Sequence, residues 1–463
     1  MNYNPRTPEA YNLFHRGILS FSRAEQQGMC VDVNYIEKKK HQLTRKIAHL
    51  EEEFKDTPFF KEWEKKVGGE ININSGTQLK YFLYTIKKYK PKKFTPSGAG
   101  STDAEALAQL HIPELEILAQ RDKLKRLRDV NLDGFLREQV DGVLHPFFNL
   151  HLVKSYRSSC NSPNLQNVPV RDEESMQTCR RAIYPRKGHQ LLEADFKAIE
   201  VAINSCYNKD TNLIKYVSDP DSDMHADMAK QIFKIDDFDS NIPEHDTLRK
   251  AAKNGFVFPQ FYGDYYKNCT ENLLCNWGKL SRGRFKEGQG LPMPEGNLSD
   301  HLMQVGLLSY SAFEKHLEKI EDDFWRNRFP DYAEWKERWY NIYKKHGYFD
   351  LLTGFRCSGV MGKKEVTNYP AQGTAFHCLL WSFNRIDEIM REEKWDSKLV
   401  SQVHDSAILD VHPDELEHVA KTIKRVTTVE LPEFWKWIVV PLSIEFEKCE
   451  INEPWSEKKK FVI

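Results

Sequence analysis

The chain has 463 residues, 40% of them hydrophobic and 29% charged, with 67 basic against 68 acidic side chains and a formal charge of −1. That length supports a large core spread over several lobes, and the balanced charge excludes a uniformly basic nucleic-acid glove while leaving local patches open. It has no run of about 18 apolar residues and no basic-then-apolar leader, so neither a membrane span nor a signal peptide is expected.

Residues 8 to 55 read as helical, interrupted near Gly28 by "GMCVDVN", with "YIEKKKHQLTRKIAHLEEEF" as a long amphipathic helix. Further helices are expected at 76–88, 103–110 and 113–139. Two basic clusters fall here: Lys87, Lys88, Lys90, Lys92 and Lys93, then Arg121, Lys123, Lys125, Arg126 and Arg128. Singly each reads as a solvated face; beside an acidic site they would suit phosphate backbones. From 140 to 200 the texture changes to short strands and loops, ending in "GHQLLEADF". Helices dominate again from 222 to 345, broken by "GRFKEGQGLPMPEGN", and the last 115 residues mix strands with helices. The order is that of an α+β protein. The nine cysteines are dispersed without a CxxC pair, and Cys269 and Cys275 lack partners at zinc spacing, which fits free thiols in a reducing compartment.

Three stretches carry chemistry. In "SQVHDSAILDV", 401 to 411, period two places Val403, Asp405, Ala407, Leu409 and Val411 on one face. A carboxylate there is costly unless a cation, a metal or donors meet it. Asp405 therefore reads either as half of a structural His-Asp pair at a hairpin tip or as a metal ligand. In "QLLEADFKAIEVAI", Asp195 ends a strand just before a helix that begins near Ala198. Two aspartates on separate strands can hold two divalent cations about 3.5–4 Å apart. In "RKAAKNGFVFPQFYGD", Arg249 and Lys253 stand four apart on one helical face, with Tyr262 a little over two turns later. Such cations can grip a triphosphate, and Lys253 could protonate a leaving pyrophosphate.

Together, "DFKAIE", "RKAAK…FVFPQFYG" and "QVHDS" resemble motifs A, B and C of family A DNA polymerases, the DNA polymerase I type. "RSSCNSPNLQNVPVR" resembles the loop ahead of motif A, "DMH" at 223–225 the segment between motifs A and B, "NYPAQGTA" at 368–375 the helix start before motif C, and "EPWSE" at 453–457 the C-terminal tryptophan segment. The match runs from about residue 10 to the end. It implies a right hand with an antiparallel palm sheet, helical fingers and helical thumb: thumb 1–145, palm 146–224 and 346–463, fingers 225–345.

The resemblance also implies roles. Asp195 and Asp405, with the Phe196 carbonyl, would bind two Mg²⁺ ions, Mn²⁺ being an alternative. His225, Arg249 and Lys253 would contact the triphosphate, and Phe258 and Tyr262 the nucleotide. Glu200 would act as a steric gate against a ribose 2′-hydroxyl, bonded to Tyr262. Arg157, Asn164, Gln166, Asn167, Gln372 and His404 would meet primer and template through the minor groove and backbone. The partners implied are primer-template DNA and dNTPs, with no membrane. Single-subunit RNA polymerases share the palm and often read His-Asp-Ser at motif C, but a small residue stands at their gate. A degenerate fold that only binds primer-template is the non-enzymatic alternative.

Several positions depart from the family pattern. Ser406 stands where most members carry Glu, and Ala202 where arginine is usual. Four residues rather than three separate Lys253 from Phe258, which turns later side chains by roughly 100° on a regular helix. Pro259 cannot donate to the Gly255 carbonyl. A π-bulge or kink over Gly255–Pro259 would cure both and return Phe258 and Tyr262 to the Lys253 face; Phe256 is the rival ribose contact. A phage-type fingers insertion is expected at about 264–310. The thumb resemblance starts almost at Met1, leaving no room for a 3′–5′ exonuclease domain, so proofreading is expected from a separate subunit if at all. That favours a phage enzyme working in the cytoplasm of a bacterial host.

Overall fold

The computed structural model describes residues 4–91, 93–95, 97–110, 112–170 and 172–463. Lys92 of the first basic cluster and Arg171 of the loop ahead of motif A lie outside the described residues. The fold is α+β, helical at both flanks around a five-stranded antiparallel sheet.

The sheet is built from Gln190–Phe196, Lys398–Val403, Ser406–Val411, Ile444–Lys448 and Lys459–Phe461. Gln190–Phe196 lies at its centre, flanked by Ser406–Val411 and Ile444–Lys448. Its alternation is strict. Leu192, Ala194 and Phe196 enter one core with Ala407, Leu409 and Phe446, while Leu191 and Ile408 enter another on the opposite face. Glu193 and Asp195 therefore share the second face.

The expected single face from Val403 to Val411 is corrected here. The chain reverses at His404–Asp405, and Val403 pairs with Ser406 across a two-residue hairpin turn. His404 takes a positive φ of 52°, as such tight hairpin turns demand. Val403 consequently packs on the face opposite Ala407, Leu409 and Val411. The hairpin tip expected at Asp405 is thus present, and only the face of Val403 differs, because period two does not carry through a turn.

One face of the sheet is covered by Ile199–Asn208, by the long helix Lys363–Glu392 and by Pro8–Gln27. Pro8–Gln27 starts on a Thr7 cap with Pro8 in its first turn and stops at Gly28, φ 65°. Phe14 and Phe21 pack into the central core, and Arg23 grips Asp387 of the long helix through Nε at 2.9 Å. That helix begins at Lys363, not near Asn368 as "NYPAQGTA" suggested, so Pro370 lies inside its early turns. A second lobe, from Leu213 to Trp335, closes over Phe256, Phe261, Phe313, Phe324 and Tyr332. It includes Cys269, Leu273, Phe285, Met293 and Leu302, so the expected insertion is part of the lobe core rather than an appendage. A separate small core joins Phe54, Phe59, Trp63, Phe82 and Leu118. All nine cysteines are free, and among the described residues no helix is long and apolar enough to cross a membrane.

Candidate active site

Asp195 is the penultimate residue of the central strand and lies directly across from Ser406, one residue past the Asp405 turn. The Phe196 N–H donates to the Asp405 carbonyl at 3.3 Å, locking the end of the strand to the turn. The two carboxylates thus come together at one end of the sheet. Asp195 reaches solvent yet is crowded by protein. That crowding, with the charge of Asp405 and then of Glu193, pushes its pKa up to about 7. Burial also raises Asp405, against the pull of Arg157. Phe196 buries its side chain, leaving only its backbone to offer. Among the described residues no cluster of three or more His, Cys, Asp or Glu side chains is poised for a metal, so any ion here would draw on this pair.

The motif B helix answers the spacing problem. Pro243–Ala252 is α-helical, Lys253–Val257 forms a π turn, and an α turn resumes at Phe258–Phe261. The Phe258 N–H donates to the Lys253 carbonyl five residues back, and Pro259 falls in the first turn of the resumed helix, where its missing N–H costs little. The wider turn absorbs the extra residue. Lys253 Nζ lies 5.4 Å from the Phe258 ring centroid, His225 packs edge-on to Phe258 at 5.8 Å, and Phe258 reaches Tyr262 at 6.2 Å. Phe256 is fully buried against Phe324, whereas Phe258 is half-buried.

From Tyr262 a line of contacts runs to the aspartates. Its hydroxyl donates to Glu200 Oε2 at 2.5 Å, and Arg157 bridges Glu200 (3.6 Å) and Asp405 (3.8 Å). Burial raises the Glu200 pKa, opposed chiefly by the Tyr262 hydroxyl. Ala202, which stands where arginine is usual in the family it resembles, is buried in the core, and Arg157 is the cation beside Glu200. Ser406 is buried, its hydroxyl donating to the Val403 carbonyl at 2.8 Å and closing the turn.

The expected phosphate contacts differ in availability. Among the described residues Lys253 has no carboxylate within 4 Å, whereas Arg249 Nε is already bonded to Asp223 Oδ2 at 2.6 Å. His225 Nδ1 is buried without a partner, and burial plus the charges of Lys253 and Arg249 hold the ring's pKa down at about 4, so it is neutral. Sequence reasoning missed the part played by Asp223. It caps Met224–Phe233 through the N–H groups of His225 and Ala226 while holding Arg249, so one carboxylate registers both groups. An Asp one residue ahead of a helix is an N-cap signal that could have found it.

The expected nucleic-acid residues divide in two. Asn164 and Asn167 are exposed and line an open groove of about 810 Å³ together with Lys123, Arg126 and Arg137. His404 is exposed beside the aspartates, and Gln372 is half-buried on the long helix. Gln166 is instead tied down: its Nε2 donates to Gln402 Oε1 at 2.7 Å, and Gln402 Nε2 donates to the His404 carbonyl at 2.5 Å. That network braces the hairpin turn. Many of the basic-cluster side chains are neutralised by acids, Lys87 by Glu62, Lys93 by Asp103 and Lys123 by Asp172, while Arg121 is buried. The C-terminal tryptophan segment also serves the site. Trp455 Nε1 and Lys458 Nζ both bond Glu193 Oε2, at 2.9 and 2.7 Å, compensating the carboxylate next to Asp195 on the same face.

The model for DNA polymerase family A matches residues 33–278 and 313–457, leaving 279–312 unmatched. Among curated proteins, DNA polymerase I of Chloroflexus aurantiacus is 26% identical over 475 aligned residues, covering 97% of this chain and 44% of that protein. The thermostable DNA polymerase I of Thermus aquaticus is 26% identical over 455, covering 94% and 47%. The chain thus spans a little under half the length of these relatives. Among solved structures, the POL domain of Pol1 from M. smegmatis, in complex with DNA primer-template and dNTP, has the same fold, with a TM-score of 0.73 at 22% identity over 96% of this chain and 70% of that one.

Proposed function

The chain belongs to DNA polymerase family A, and from that premise we propose that it carries out template-directed DNA synthesis, adding deoxynucleotides to a primer 3′-hydroxyl. The observation that carries this reading is the meeting of Asp195 and Asp405 at one end of the sheet, joined through Arg157, Glu200 and Tyr262 to the helix that bears Lys253. We assign the thumb to 1–145, the palm to 146–224 and 346–463, and the fingers to 225–345.

The donor set fits divalent metal. Two carboxylates held side by side, each with a raised pKa, favour a hard cation that takes its remaining oxygens from water and phosphate. Asp195, Asp405 and the Phe196 carbonyl would hold Mg²⁺, or Mn²⁺ in its place, and when bound such ions lower the pKa of a primer hydroxyl and neutralise phosphate charge. Lys253, free of carboxylate partners among the described residues, grips the triphosphate and holds a proton for the leaving pyrophosphate. Arg249 and neutral His225 line the same stretch, registered by Asp223. Phe258 and Tyr262, their rings tilted by 44° to each other, offer aromatic surface to the incoming nucleotide. The short Tyr262–Glu200 bond fixes the Glu200 carboxylate where a ribose 2′-hydroxyl would otherwise go. Asn164, Asn167, Gln372 and His404 meet the primer-template, with Gln166 supporting the turn from behind.

Primer extension with dNTPs against rNTPs, with and without Mg²⁺, tests this. Asp405→Ala is expected to abolish extension while primer-template binding persists; an unchanged extension rate refutes the assignment. Preferential use of rNTPs would favour the RNA-synthesising alternative, which the fixed Glu200 gate argues against.

A further inference from the structure

Arg157 is placed between two carboxylates that the proposed reaction uses differently. Its guanidinium reaches Glu200 through Nη1 at 3.6 Å and Asp405 through Nη2 at 3.8 Å, and among the described residues no other Lys or Arg lies within 4 Å of either acid. The backbone around it is fixed on both sides. A Cβ on Gly373 would fall 2.2 Å from the Ser155 carbonyl oxygen, so the long helix and this loop touch main chain to main chain. His377, fully buried with its pKa held down at about 3, is neutral; Nδ1 faces the Thr353 hydroxyl and Nε2 the Tyr156 carbonyl at 3.1 Å. On the other side Ser158 Oγ donates to Gln402 Oε1 at 2.7 Å, and Gln402 is bonded to the His404 carbonyl beside Asp405. The guanidinium can therefore shift between the two acids by side-chain torsion alone, with its Cα held.

On the reading of Asp405 as a metal ligand, we propose that Arg157 is a positioning residue exchanged by the metal. It holds Asp405 in the metal-free protein, gives it up when a divalent cation binds, and passes wholly to Glu200. A guanidinium and a divalent cation cannot share one carboxylate oxygen at these distances without strong repulsion. Among the described residues the one other acid within 4 Å of its guanidinium is Glu200, already fixed by Tyr262. Glu200 then carries two partners, so the barrier to a ribose 2′-hydroxyl stiffens as the metal site fills. Sugar selection and metal loading become linked through one side chain.

Mn²⁺ titration of the DNA-free full chain, followed by electron paramagnetic resonance, tests the exchange. Arg157→Met removes the competing cation and should bind Mn²⁺ roughly three- to tenfold tighter than the unmodified protein; Arg157→Gln serves should the first variant fail to fold. Glu200→Gln should weaken Mn²⁺ binding by leaving Arg157 on Asp405, and that effect should vanish in the Arg157→Met/Glu200→Gln double variant. In primer extension, Arg157→Met should lower the preference for dNTPs over rNTPs. A side chain that merely supports the loop would leave metal affinity unchanged or weaker when removed. Unchanged or weaker Mn²⁺ binding by Arg157→Met overturns the proposal, as does a Glu200→Gln effect that persists in the double variant. Failure of the unmodified protein to bind Mn²⁺ at all overturns instead the assignment of Asp195 and Asp405 as metal ligands.

Discussion

Substituting Gly373 tests how the Asp195–Asp405 end of the sheet is held. A methyl group at this position would lie 2.2 Å from the Ser155 carbonyl oxygen and 3.0 Å from Leu351 Cδ1. The nearer atom is backbone, so relief needs a movement of about 1 Å between the long helix and the loop that carries Arg157. Overpacking of this kind costs about 1–3 kcal/mol, and the better helix propensity of alanine returns about 1 kcal/mol. Gly373→Ala should therefore lose about 1 kcal/mol, at most about 2, in urea unfolding. The functional loss should be larger. A misplacement of about 1 Å in a group that touches both Asp405 and Glu200 is expected to lower kcat/KM for dNTP by about 10²-fold. Gly134→Ala supplies the stability control, because a Cβ there meets nothing within 4 Å and its φ is ordinary; it should stabilise by about 0.4–1 kcal/mol. Wild-type stability together with wild-type kcat/KM in Gly373→Ala would refute the close-approach argument.

Deleting Asn254, which is exposed within the π turn, in a Pro259→Ala background should convert that turn to α and keep Phe258 on the Lys253 face; steady-state kcat/KM should stay within about tenfold of wild type, and a loss beyond about 10³-fold would show that the turn does more than cure the extra residue and the proline. Lys253→Ala should lower the single-turnover rate by about 10²- to 10³-fold, with primer-template affinity unchanged in a filter-binding assay. The pH dependence follows from Asp195. Its folded pKa of about 7 exceeds the usual carboxylate value, so the folded state binds the proton more tightly, and metal-free stability from this group is present at low pH and lost as pH rises toward 7. Mg²⁺ requires the carboxylate and relieves that loss, so the Mg²⁺-induced rise in Tm should be larger at about pH 8 than at about pH 5.5, and Asp195→Asn should erase the difference.

Local rules made much of the site legible. Asp195 reads as a strand end because apolar residues precede it and a helical pattern follows. The π turn was legible from two independent misfits, an extra residue and a proline, that one irregularity cures. What sequence could not supply was contact at long range. Nothing local distinguishes Gln166, which braces the hairpin, from Asn164 and Asn167, which face the groove, because all three are amides in one loop. Arg249 and Lys253 look alike on a helix, and only the fold brings Asp223 to one and not the other. The hairpin tip at His404–Asp405 is legible in the sequence, but the face of Val403 is not, because period two does not carry through a turn.

The same distinction explains why residues 264–310 could not be read as an ornament or as a support. The helical segment Tyr266–Trp277 packs so closely on the motif B helix that a Cβ on Gly255 would fall 2.9 Å from Leu273 Cδ2. Gly255 lies inside the π turn, so the neighbour fills the face that the widened turn opens. Leu280, Phe285, Met293 and Leu302 continue that packing into 279–312, the stretch the family model leaves unmatched. On the far side, His301 Nε2 reaches the Phe233 carbonyl at 2.7 Å, at the end of the helix that carries His225. Residues 264–310 therefore span from the motif B helix to the helix capped by Asp223, joining from behind the two elements that carry Lys253 and His225. An irregular turn that would be floppy alone is held by packing on one side and by the Phe258–Tyr262–Glu200 line on the other.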